Sequence, residues 1–230
     1  MSDYTKSNAR LELMNRRTML GGFAALSVAR AAWAAEASPI PASGSLGFRV
    51  VRNGDEIGKH VLTFRQEGEL LRVDVVVDIV VTLGPIAVFR YVHRSSETLR
   101  GGLLIAAEGR TDDDGKQASM SARLGPGGLQ VQGSTGGNYT APAGAMMASH
   151  WNHRELDGPM INPQGGKLMR PVVTRYPEGQ IALASGRNVA AKRFNLSGDA
   201  KLDLWYDRAE TWTATRFVAE DGSEVLYQRV

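Results

Sequence analysis

The sequence contains no cysteine. This excludes a disulfide framework, a thiolate zinc site and a cysteine nucleophile together. Charge of one sign is also lacking over most of the chain. The formal charge is +3, but Lys6, Arg10, Arg16, Arg17 and Arg30 outweigh Asp3 and Glu12 in the first 34 residues, and beyond them basic and acidic residues are equal in number. With no basic surface to neutralise phosphates, nucleic acid is excluded as a partner. Beyond the N-terminus no apolar run approaches the roughly 20 residues that span a bilayer, so no transmembrane segment is expected. No glycine-rich loop leads from a strand into a helix, which argues against nucleotide binding, and neither H-E-x-x-H nor G-x-S-x-G occurs.

What is present begins with an export signal. Asn15-Arg16-Arg17-Thr18-Met19-Leu20 has the form of a twin-arginine motif, and the weakly apolar run Gly21 to Ala29 follows it. Arg30 and the small-residue site Ala32-Trp33-Ala34 complete the pattern of n-region, h-region and cleavage site. Residues 1–34 are therefore expected to be a signal read by the twin-arginine export machinery. That route carries folded proteins from a reducing compartment, which fits the missing cysteines. The mature chain is expected in the periplasm, or secreted.

Residues 35–45 are rich in Ala, Ser, Pro and Gly and form a flexible lead-in. From residue 46 to 230 the pattern is that of one all-β domain. Leu70 to Leu83 is its clearest strand: Val73, Val75, Val77, Ile79 and Val81 share one face. The dense β-branching disfavours a helix. Asn53-Gly54 and Asp114-Gly115 are hairpin turn pairs, because both positions of such turns require positive φ. Turns are further expected at Gly84-Pro85, Gly101-Gly102, Gly179, Gly186, Gly198 and Gly222. About thirteen strands joined by hairpin-length connections predict a meander: a large, strongly curved antiparallel sheet, or an open or closed barrel. Residues 133–166 interrupt it as an irregular insert, with at most one short helix near Ala145 to Trp151.

The order of short motifs is similar to the exported bacterial family DUF6134. It is carried by Gly54-x-x-Ile57-Gly58-x-His60, Thr111-Asp112-Asp113-Asp114-Gly115, Ser149-x-Trp151-Asn152, Arg193-Phe194, Leu204-Trp205-Tyr206-Asp207 and Asp221-Gly222. A more distant likeness is to DUF3108, whose closing strands hold a related Trp-Tyr-Asp element. The resemblance implies an exported β-rich domain and no particular activity.

Candidate chemistry centres on His150-Trp151-Asn152-His153. Histidines three apart on a helix share a face and suit a metal, with Glu155 or Asp157 as an oxygen ligand. The plainer reading is that Trp151 plugs the core and Asn152 caps a turn. The Asp112-Asp113-Asp114-Gly115 run reads as a hairpin turn before a calcium loop. Tyr91, His93 and Glu97 share a strand face, where His93 with Glu97 offers an acid–base pair.

The leading expectation is a binding or carrier module for an apolar ligand, a lipid or acyl chain, in a barrel-like cavity gated by residues 133–166. Trp151, Asn152, Tyr91, Trp205 and Tyr206 are its candidate contacts. The alternatives are a metal-dependent hydrolase using His150 and His153, and a structural or assembly partner in the cell envelope. No cofactor is expected, and a metal at the histidine pair is left open.

Overall fold

A computed structural model describes residues 40–230. The twin-arginine pair Arg16-Arg17, the Ala32 and Ala34 cleavage site and the first part of the lead-in lie outside them. The chain runs through β1 (Ser45–Arg52), β2 (Asp55–Glu67), β3 (Leu70–Leu83), β4 (Ile86–Arg100), β5 (Leu103–Asp113), β6 (Lys116–Gly125), β7 (Gly128–Gly133) and β8 (Gly137–Thr140). Three two-residue strands follow, β9 (Met146–Met147), β10 (Met160–Ile161) and β11 (Leu168–Met169), with one 3₁₀ turn at His153–Asp157. It closes with β12 (Val172–Ala182), β13 (Asn188–Ser197), β14 (Leu202–Asp207), β15 (Trp212–Val218) and β16 (Glu224–Arg229).

Thirteen strands form one antiparallel sheet in the order β12-β13-β14-β15-β16-β1-β2-β3-β4-β5-β6-β7-β8. It is an open sheet, with β8 and β12 at its edges. The last strand returns beside the first, so the two halves of the meander meet at the β16–β1 pair, where Val50 faces Tyr227. Consequently β8 ends at one edge while the next long strand, β12, forms the other. The connection must cross the whole sheet, and it does so along the inside. Residues 141–171 form this strap, tied by the small sheet β11-β10-β9.

Period-two patterning sets which side of the sheet is inside. On β3, Val73, Val75, Val77 and Ile79 are buried. They share one core with Phe48 and Val50 of β1, Leu62 and Phe64 of β2, Leu204 and Tyr206 of β14, and Trp212 of β15. The strap adds Met147, Trp151, Leu156, Met160 and Ile161 to the same core. Strands this far apart in the sheet order reach a common core only because the sheet curls.

Both hairpin pairs form as expected: Asn53 and Gly54 have φ of 50° and 100°, Asp114 and Gly115 of 51° and 87°. Asp112 spends its carboxylate on this turn, accepting from the Gly115 N–H at 2.7 Å. Three local expectations are corrected. Gly179 makes no turn; it lies within β12, opposite Ala191. The strand instead shifts register between Arg175 and Glu178, around Pro177, which has no N–H to give a ladder. No helix forms over Ala145 to Trp151, where Met146 and Met147 pair with β10. The helical turn starts later, with Asn152 Oδ1 accepting from the Arg154 N–H at 3.2 Å as its cap. The irregular stretch is also shorter than expected, since β8 extends the main sheet beyond residue 133.

Candidate functional site

Inward-facing residues of β2, β3 and β4 and of β14, β15 and β16 meet the strap around a cavity of about 140 Å³. It is lined by His60, Tyr91, His93, Ser95, Ser149, His150 and Tyr227, with Val75, Val77, Leu202, Trp212 and Phe217 as apolar walls. A larger concavity of about 660 Å³ lies elsewhere, mainly among outward-facing side chains of β3 to β7 such as Arg72, Asp74, Arg94 and Arg110. Its charges are those of an exposed face: Arg94 pairs with Asp78 at 2.8 Å, and Arg65 and Arg72 both meet Asp74. The inner cavity is where buried titratable groups converge.

Polar groups there are held in defined geometry. His93 stands opposite Thr111 across β4 and β5. Its Nδ1 is 2.8 Å from Thr111 Oγ1, and its Nε2 is 3.0 Å from Ser95 Oγ. Tyr91 Oη accepts from Gln164 Nε2 of the strap at 2.8 Å. Burial pushes His93 down to about 4, with Arg94 adding to the effect, so the ring is neutral at neutral pH. His60 is driven further, to about 3, by burial first and then by His150 and His93. Its Nε2 is buried without a partner, with the ring edge-on to Trp212 and Tyr227.

The strap contributes a second arrangement. Glu155 Oε1 is 2.5 Å from His150 Nδ1, while Oε2 accepts from the His150 backbone N–H at 3.0 Å. His150 has φ of 67°, a costly conformation for a residue with a Cβ, and this double contact holds it there. Its carbonyl accepts from Tyr206 Oη at 2.9 Å. Nearby, Glu97 on β4 is almost wholly buried and takes the Trp151 indole N–H on Oε2 at 3.4 Å. Burial pushes this carboxyl up to about 8, against the Ser149 hydroxyl and Trp151 indole, which favour ionisation; the nearby Glu155 raises it further. A neutral acid is what allows its Oε1 to sit buried without a partner.

The candidates read from sequence fall in three places. Tyr91 lines the cavity, and Trp151 and Tyr206 are core residues beside it. Asn152 is buried as the cap of the 3₁₀ turn. Trp205 lies on the opposite face of β14, against Ala191 and Ala214 and between the guanidinium groups of Arg193 and Arg216. His150 and His153 use different carboxylates: His153 faces Glu210 at 3.6 Å, not Glu155. Among the described residues no three His, Asp or Glu side chains gather in a metal-binding group. Glu97 and His93 share the inner face but bond to different neighbours. His60 and Thr111 stand out in the sequence only as motif residues and Ser95 not at all; none of the three is a candidate contact there. Their inward positions follow from strand alternation, but nothing in the sequence says that strands β2, β4 and β15 face one cavity.

Among the described residues no helix is long and apolar enough to cross a membrane. Among curated proteins no relative matches. Among solved structures, the fold is similar to a beta-barrel-like protein of domain of unknown function DUF1849 from Brucella abortus. Identity is 8% and the TM-score 0.51, over 81% of this chain and 94% of that one. The likeness is one of fold alone. The model of the family described as a domain of unknown function, DUF6134, matches residues 48–230, most of the chain, which therefore belongs to that family.

Proposed function

We propose that this is an exported binding module of the cell envelope that takes one compact, uncharged molecule into the inner cavity. The export part of the reading rests on Arg16-Arg17 and the Ala32-Trp33-Ala34 site. The observation that carries the binding part is the cavity of about 140 Å³, lined by the neutral imidazoles of His60 and His93, by phenols and by hydroxyls over apolar walls. Cavities near this size hold a molecule about as large as benzene, whereas drug-sized ligands need about 300–1,000 Å³. The strap occupies most of the inside, so the reading moves from an acyl chain to a small ring bearing a hydroxyl or carbonyl. The test is native mass spectrometry of the protein exported through its own signal, with a titration of phenol followed by ligand-observed NMR. A small bound mass, or saturable phenol binding lost on filling the cavity with Val77→Phe, supports the reading. A bare polypeptide with no phenol binding removes it.

One further observation favours a second reading, an assembly partner in the envelope. Beyond the pairing limits of β2 and β5, the β3–β4 hairpin continues as a two-stranded ribbon whose Leu83, Ile86 and Val88 are exposed. Co-purification of one stoichiometric envelope protein, lost in Leu83→Ser with Ile86→Ser, would support it; a monomer throughout would remove it.

A further inference from the structure

We infer that Ser95 and His93 form a nucleophile–base pair, making the cavity a site for acyl transfer from small uncharged esters. The inference rests on the reading of the cavity as a binding site and adds a reaction to it. The pair has the geometry such chemistry needs: Ser95 Oγ is 3.0 Å from His93 Nε2, and the other ring nitrogen is fixed at 2.8 Å by Thr111 Oγ1. With the Thr111 oxygen accepting from His93 Nδ1–H, Nε2 is left to accept from the Ser95 hydroxyl.

Ser95 stands opposite Gly109 on β5, over which the Pro163 carbonyl of the strap packs, and Val75 on β3, and its open side is the cavity. Both Ser95 and His93 are buried yet line the cavity, so an acyl group would react away from bulk water. The phenols of Tyr91 and Tyr227 line the same space and supply donors for a developing oxyanion.

The step balances with the residues present and water. Ser95 Oγ attacks the acyl carbon as its proton passes to His93 Nε2. The ester C–O bond then breaks, and the departing alkoxide takes that proton from His93. Water attacks the acyl-serine while giving a proton to His93. The acyl–Oγ bond breaks, and Oγ recovers the proton from the imidazolium.

Methanesulfonyl fluoride is small enough to enter and reports the nucleophile directly, because Oγ–S forms as S–F breaks. The full chain is treated with this reagent, with and without saturating phenol, and adducts are located by intact mass and peptide mapping. The expected result is one adduct on Ser95, absent in Ser95→Ala and formed at least about 100-fold more slowly in His93→Gln. The outward-facing Ser96→Ala variant should label as the unmodified chain does. Phenol should slow the labelling. An adduct on Ser95 without phenol binding keeps the reaction and removes the phenol-sized ligand. Phenol binding with no Ser95 adduct overturns the reaction and leaves the binding reading standing. Neither signal overturns both.

Discussion

Glu155 grips His150 at two points, the backbone N–H at 3.0 Å and ring Nδ1 at 2.5 Å. Residues 150–155 of the strap are thereby folded back on themselves, at a position where His150 adopts positive φ. The ring then packs edge-on against Trp212 of β15, with centroids 5.5 Å apart. A local contact in an irregular segment thus fixes where the strap meets the sheet.

Replacing Glu155 by Gln should therefore cost more than an exposed carboxylate would. A hydrogen bond to a buried charged group contributes about 1.5–3 kcal/mol. We expect a loss of about 2 kcal/mol in urea unfolding, and a similar loss for His150→Ala. An unchanged midpoint in both variants would show that the strap is anchored elsewhere.

Stability should peak near pH 6.5. The Glu97 carboxyl is raised from 4.5 to about 8, so between those values the folded chain keeps a proton the unfolded chain has released. Its contribution is complete below 4.5 and is lost as pH rises through 8. His60 and His93 act in the opposite sense. Lowered from 6.5 to about 3 and about 4, they refuse protons that the unfolded chain binds, so stability falls as pH drops below 6.5. Two histidine protons outweigh one carboxyl proton on the acid side. Urea midpoints across pH 4 to 9 check this, and Glu97→Gln should flatten the alkaline limb and steepen the acid one.

Gly109→Ala should displace the strap. A Cβ there would run into the Pro163 carbonyl oxygen, and one at Gly133 would meet the Gly165 carbonyl. Backbone rests on backbone at both places, so no side chain can swing away. Overpacking of this kind costs about 1–3 kcal/mol. Amide chemical shifts of residues 160–167 should move in the variant while those of β13 and β14 stay in place; shifts confined to β5 would contradict the contact.

The two tryptophans either side of β14 and β15 should respond differently. Trp212 is fully buried, stacks on Phe48 at 4.0 Å and donates to Thr215 Oγ1 at 2.9 Å, so Trp212→Ala should cost about 3–5 kcal/mol. Trp205 packs in a small outer cluster between two arginines, whose cation–π contacts are worth about 0.5–1 kcal/mol each at exposed sites. Trp205→Ala should cost less and leave the cavity unchanged. Equal losses in thermal or urea unfolding would argue against two separate clusters.

The strands were legible because their signals are local. Val73 to Ile79 alternate, Asn53-Gly54 and Asp114-Gly115 demand positive φ, and both follow from a few adjacent residues. The errors also have local causes that reading residue by residue mistook. Gly179 resembles a turn glycine but is paired with Ala191, and Trp205 and Tyr206 are neighbours in sequence yet face opposite sides.

By itself the sequence determined an all-β meander of long strands, its principal turns and the faces of β3 and β4, since period-two burial and turn chemistry act within a few residues. Only the tertiary structure decided that β16 pairs with β1, which puts β8 and β12 at opposite edges. That placement sends residues 141–171 through the inside, where they pack into the core beside a small cavity. It also brings His60, His93, Ser95 and His150 together from β2, β4 and the strap. Contacts between residues this far apart depend on how the sheet curls. No pattern within any one segment encodes that curl.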